Sequence, residues 1–91
     1  MKRYKIFADN LSTGVWDWYS GENTHLPDEF PEHFHIMLEQ WHDIWEFVID
    51  NGNMSGMYKE AWESNGKKIV DMLNKYSRNK HLGCKFTYIS Q

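Results

Sequence analysis

Two stretches of this chain repeat their apolar residues with the period of an α-helix, and on both sides of them the period falls to two. Few folds accommodate that switch. Phe34, Leu38, Trp41, Trp45 and Val48 recur at i, i+4, i+7, i+11 and i+14, with Met37 and Ile44 widening the stripe. Pro31 suits a first helical position, Glu29 and Glu32 complement the positive helix end, and Asp50-Asn51-Gly52-Asn53 supplies a stop. A second helix is expected from about Ser55 to Ser77, where Tyr58, Trp62, Gly66, Ile69, Leu73 and Tyr76 share one face, with Ser77-Arg78-Asn79-Lys80 ending it. Gly66 inside that stripe costs about 1 kcal/mol against Ala, so its position predicts a close approach to whatever lies beneath.

Ahead of the helices, Tyr4, Ile6 and Ala8 alternate with Arg3, Lys5, Phe7 and Asp9, a strand. Ser12-Thr13-Gly14 turns the chain into a second arm, Val15 to Tyr19. Alternation there puts Trp16 and Trp18 on one face and Val15, Asp17 and Tyr19 on the other, until Ser20-Gly21-Glu22-Asn23 breaks the run. After the helices, Cys84, Phe86 and Tyr88 alternate with Lys85, Thr87 and Ile89 in a last strand. The order β-β-α-α-β over residues 1–91 predicts a single α/β (α+β) domain. Short, uncrossed connections make it a two-layer sandwich: a three-stranded mixed sheet in the order 2-1-3, with both helices on one face. The other face would carry Lys5, Phe7, Lys85, Thr87 and Ile89. A chain of 91 residues has room for one modest core, and 16% aromatic content argues against disorder. Cys84 stands alone and can form no intramolecular disulfide, and no apolar run reaches about 18 residues, so a cytoplasmic setting is expected.

Charge is segregated. Between Ile6 and Tyr58 there is no Lys or Arg, while ten of the thirteen Asp and Glu, four of the five His and four of the five Trp fall there. Residues 1–58 hold three cations against ten carboxylates, net −7, and residues 59–91 hold seven against three, net +4, which sum to −3. The acidic part repels anions and suits a basic partner.

No motif names a reaction. His35, Glu39, His42 and Glu46 share one helix face at spacings that allow metal ligation, yet they match no known zinc pattern and read as a solvated face. Asp9 and Asp17 would be a carboxylate pair only if the hairpin brought them together, and otherwise serve turns. Ser12-Thr13-Gly14 lacks the glycine spacing and lysine of a phosphate loop. The basic tract Lys67, Lys68, Lys75, Arg78 and Lys80 reads as a solvated helix end. Trp41, Trp45 and Trp62 belong to the core by their stripes, whereas a short arm cannot bury Trp16, Trp18 and Tyr19 together.

The segments Tyr4-Lys5-Ile6-Phe7-Ala8-Asp9 and Ser12-Thr13-Gly14-Val15-Trp16-Asp17, followed by a helix containing Trp41 and ending Trp45-Glu46, resemble a group of small, mostly uncharacterised bacterial proteins. Those proteins open with a short strand and a Ser-Ser/Thr-Gly-hydrophobic-Trp-Asp/Asn segment, then have two helices and a terminal strand. The resemblance implies an immunity or inhibitor protein of a bacterial toxin, with no active site to carry over. The combined expectation is a non-enzymatic acidic protein that inhibits a basic protein partner, such as a cognate nuclease-like toxin. Asp9, Asp17, Glu22, Asp28, Glu29 and Glu32 would form an acidic rim around the anchors Trp16, Trp18 and Tyr19. No catalytic residue, metal, cofactor, nucleic acid or membrane is expected. The alternatives are a phage-type anti-defence inhibitor imitating nucleic acid charge, a small metal-dependent hydrolase using His35, Glu39 and His42, and a structural homodimer through the open sheet face.

Overall fold

The computed structural model describes residues 1–49, 52 and 56–90. Strand β1 (Lys2–Ile6) is central because both of its edges are paired. On one side β2 (Val15–Asp17) runs antiparallel, with Tyr4 opposite Asp17, Lys5 opposite Trp16 and Ile6 opposite Val15. On the other, β4 (Cys84–Tyr88) runs parallel, with Tyr4 opposite Phe86 and Ile6 opposite Tyr88. The sheet is mixed, as expected, but it has four strands rather than three. Beyond β2 lies β3 (Asn23–Thr24), and the order is β3-β2-β1-β4. The extra strand arises where the sequence suggested only a break. Asp17 Oδ1 accepts the Tyr19 and Ser20 N–H groups at 2.9 and 2.8 Å, and Gly21 takes φ +73°. The segment therefore reverses tightly instead of leaving the sheet, and two residues are too few to show an alternation.

Helix α1 (Glu32–Ile44) starts one residue later than anticipated, with Pro31 extended at ψ 152° as its N-cap, and it runs into a π-helical turn at Trp45–Ile49. The anticipated stop at Asp50-Asn51-Gly52-Asn53 lies outside the described residues except for Gly52, which has φ +71° and donates to Ile49 O at 3.0 Å. Helix α2 (Gly56–Lys80) is described from Gly56, so the expected start at Ser55 also lies outside them. It outruns the expected end at Ser77 by three residues. His81 at φ +54° provides the turn, with Leu82 N–H donating to Ser77 O at 3.0 Å and His81 N–H to Arg78 O at 3.3 Å. Ser77 is buried and continues inward, where its hydroxyl donates to Cys84 O and accepts the Cys84 N–H.

Both helices meet the same face of the sheet. Tyr4, Ile6, Val15, Cys84 and Phe86 are buried there, beneath Phe34, Leu38 and Trp41 of α1 and Trp62, Val70 and Leu73 of α2. Phe30, in the loop before α1, joins them with its ring 5.5 Å from those of Tyr76 and Phe86. The helices are locked by two indoles stacked at 4.6 Å and 1°, each donating its N–H to the other's carbonyl: Trp41 Nε1 to Trp62 O at 3.0 Å and Trp62 Nε1 to Trp41 O at 2.7 Å. Gly66 makes this possible. A Cβ there would lie 2.8 Å from Trp41 Cζ2 and 2.5 Å from Tyr88 Cε1, so only glycine lets the indole reach a carbonyl one turn earlier.

Several stripe residues are less buried than the periodicity suggested, Ile44 and Val48 among them. Tyr58 is 52% exposed, because α2 spans about 37 Å while a five-residue strand covers only about 17 Å, and its first turns overhang the sheet. Trp45, at the α-to-π transition, packs against the core from a partly exposed position. Trp41→Ala should therefore cost about 3–5 kcal/mol in a urea titration, and Trp45→Ala at most about 2 kcal/mol. Equal losses would show Trp45 to be full core.

Tyr88 donates its hydroxyl to Glu63 Oε1 at 3.4 Å, and burial, reinforced by that carboxylate, pushes its phenol well above the ordinary range. The stability contributed by the neutral phenol is fully present below about pH 10 and is lost as pH rises toward the raised folded-state value. Denaturant titrations across alkaline pH should show a decline that Tyr88→Phe reduces.

Candidate functional site

Within the β1–β2 connection, residues 9–14 fold back over α1. Their backbone is held there by two α1-side groups. The Asp9 carbonyl lies 2.8 Å from His42 Nε2, and the Leu11 N–H donates to Glu46 Oε1 at 3.0 Å. Leu11 takes φ +57° with its side chain 96% exposed, a conformation unfavourable for leucine that Glu46 helps to hold. Gly14, at φ +82°, approaches the His42 ring so closely that a Cβ would sit 3.1 Å from His42 Cδ2. Thr13 pins the other side of the loop through its hydroxyl, which donates to Thr24 O in β3.

This loop buries His42, which is only 3% exposed. The reading of the His35, Glu39, His42, Glu46 face as solvated is thereby corrected at His42. Helical periodicity places side chains around an axis but does not report a distant loop laid over one of them. Between the loop, the segment around His25 and Leu26, and α1 lies a cleft of about 300 Å³. Its polar lining is Ser12, Thr13, His25, His35, Glu39, His42, Asp43 and Glu46, with Val15, Leu26 and Leu38 beneath. Among the described residues no Lys or Arg lines it. His35 Nε2 is 3.2 Å from Phe30 O, a contact that orients this ring at the cleft wall. Asp43 and His25 had no place among the residues singled out from sequence. Asp43 follows His42 on the same helix, but His25 comes from beyond β3 and carries no local signal.

The nine residues expected to bind a partner do not form one patch. Trp16 and Trp18 do share the uncovered sheet face, and strand register surrounds them with cations: Lys5 is opposite Trp16, and the Arg3 guanidinium carbon lies 4.3 Å and Lys5 Nζ 5.4 Å from the Trp18 ring centroid. Trp16 is half-buried and donates its indole N–H to Phe7 O at 2.8 Å, beside a hollow of about 320 Å³ that Phe7 and Ile89 also line. Tyr19 is 73% exposed at the hairpin turn. The Asp17 carboxylate is engaged in that turn, and its bonds from the Ser20 and Tyr19 amides hold it below the usual carboxylate range. Glu22 is exposed in the same turn, while Asp28, Glu29 and Glu32 are exposed on the approach to α1. Asp9 lies past the C-terminal end of β1, where it lines the same hollow as Trp16 and Gly21. Because Asp17 pairs with Tyr4, five residues from Asp9, the two carboxylates cannot act together as the turn between them allowed.

The fold is thus that of a small α+β protein with a mixed four-stranded sheet and a carboxylate- and histidine-lined cleft beside its first helix. No protein-family model matches the chain, and no curated protein matches it either.

Gly14 tests how tightly the loop is set on the cleft. Gly14→Ala should lose about 1–3 kcal/mol, through left-handed strain plus crowding of His42. Gly21→Ala is the control, since Gly21 has φ +73° but nothing within 4 Å of the added Cβ, and should show the strain alone. Equal losses in the two variants would mean that the loop yields freely at His42.

Proposed function

We propose that this chain is a non-enzymatic acidic binding protein that inhibits a basic protein partner, acting in the cytoplasm as an immunity protein does against a nuclease-like bacterial toxin. One observation carries the reading: the cleft presents Glu39, Asp43 and Glu46 with no cation among its lining residues. A lysine or arginine side chain of a partner entering it would gain charge-assisted hydrogen bonds from oriented carboxylates, with Leu26 and Leu38 taking its aliphatic stem. The wider acidic surface, including the exposed Glu22, Asp28, Glu29 and Glu32, steers a cationic partner during encounter. This reading moves the contact away from the hairpin tryptophans, whose neighbours are basic, to the first helix.

The test is co-expression with the product of the adjacent gene. The wild-type chain should suppress its toxicity, and association should slow about tenfold or more between low and physiological salt. Glu39→Lys, an exposed position that leaves the core untouched, should weaken binding by about tenfold or more. Failure to suppress toxicity, or protection that Glu39→Lys leaves intact, would sink the reading.

A further inference from the structure

His42 is buried, yet only one edge of its ring is engaged. Nε2 lies 2.8 Å from Asp9 O and 3.2 Å from Ser12 Oγ, with the Asp9 amide a weaker contact at 3.4 Å. The Ser12 hydroxyl already donates to Asp9 O at 2.8 Å, and its oxygen accepts the Gly14 N–H at 3.2 Å. Both close neighbours of Nε2 therefore act as acceptors, and these shorter contacts outweigh the long one in which the Asp9 N–H points at Nε2, placing the ring proton on that nitrogen. Nδ1 makes no hydrogen bond among the described residues. Its polar neighbour is Glu46 Oε2, 4.0 Å away. With Nε2 protonated, Nδ1 presents its lone pair on the Glu46 side of the ring, beside the cleft that His42 and Glu46 both line.

One donor atom from each of His42, Asp43 and Glu46 can be chosen so that all lie within 4.8 Å of one another. Nitrogen and oxygen ligands bind a metal such as zinc at about 2.0–2.2 Å, which sets their mutual spacing near 3–3.5 Å. Side-chain rotation of the half-buried Asp43 and Glu46 closes that gap.

We propose that the buried end of the cleft binds a divalent first-row transition cation through His42 Nδ1 and the carboxylates of Asp43 and Glu46. Two carboxylates and a neutral imidazole balance its charge. Both outer contacts that orient such ligands are in place, the Asp9 carbonyl on His42 and the Leu11 amide on Glu46. Three protein ligands leave coordination open to water or an incoming group, and the mixed nitrogen and oxygen set favours zinc, copper, nickel or cobalt over magnesium and calcium. This set differs from His35, Glu39 and His42, the trio that helical spacing alone suggested. The site goes beyond the inhibitory reading and takes two of its three cleft carboxylates, leaving Glu39 and the wider acidic surface to a basic partner.

The experiment uses the full chain, freed of metal by chelator and titrated with zinc chloride by calorimetry and with cobalt chloride by visible absorption. One ion per chain is expected, with a cobalt ligand-field band. Asp43→Asn and Glu46→Gln, the latter retaining an acceptor for the Leu11 amide, should each weaken binding tenfold or more while the circular dichroism spectrum stays unchanged. His81→Asn, at an exposed histidine outside the cleft, should bind as the wild type does. Absence of saturable binding, binding indifferent to both cleft variants, or stoichiometric binding abolished by His81→Asn would each overturn the proposal. Loss of toxin suppression with metal binding intact would count against the inhibitory reading alone.

Discussion

The reciprocal pairing of Trp41 and Trp62 is the contact on which the helical layer depends. Each indole is a large apolar plate with one polar handle, and burying it without a hydrogen-bond partner would cost about 1–3 kcal/mol per N–H. Here each handle finds the other residue's backbone carbonyl, so two large rings stack in the core with both donors satisfied. The arrangement fixes the distance, rotation and register of α1 against α2 at once. It also explains a glycine in the middle of a 25-residue helix, since Gly66 is the space through which the Trp41 ring reaches Trp62.

From that lock the position of the cleft follows. With Trp41 turned into the core, its successor His42 points to the side where the chain leaves β1, and the residue 9–14 loop closes over it. The loop accepts a left-handed leucine and a left-handed glycine to make that closure, and His42 and Glu46 supply the polar contacts that hold it. The same two side chains thus support the loop on one side and face the cleft on the other. Structure and candidate chemistry share residues here.

The distribution of charge over the folded surface differs from its distribution along the chain. The acidic run from Ile6 to Tyr58 begins just after Lys2, Arg3 and Lys5, and pairing returns β2 from inside that run to lie beside those cations. Lys85 then arrives on β4, opposite Arg3. The uncovered sheet face is therefore aromatic and basic, although Trp16 and Trp18 come from the most acidic stretch of sequence. Carboxylates gather instead along α1 and the π-helical turn that continues it, where Glu39, Asp43 and Glu46 fall on one side.

Periodicity alone determined the two helices, the central and last strands, and the partition of faces at Trp16 and Trp18, because each rests on repeats within a few residues of one another; the pairing of the first and last strands followed instead from the order of the elements and short, uncrossed connections. It also located Gly66 as a point of close approach. Tertiary structure decided the rest. The fourth strand depends on a turn whose bonds come from Asp17 rather than on an alternation of its own. Burial of His42, the recruitment of His25 to the cleft and the cations over Trp18 join residues far apart in the chain or on different strands. Such contacts leave no period to read: a helix or strand announces which way its own side chains point, but what arrives to meet them is set by the packing of the whole domain.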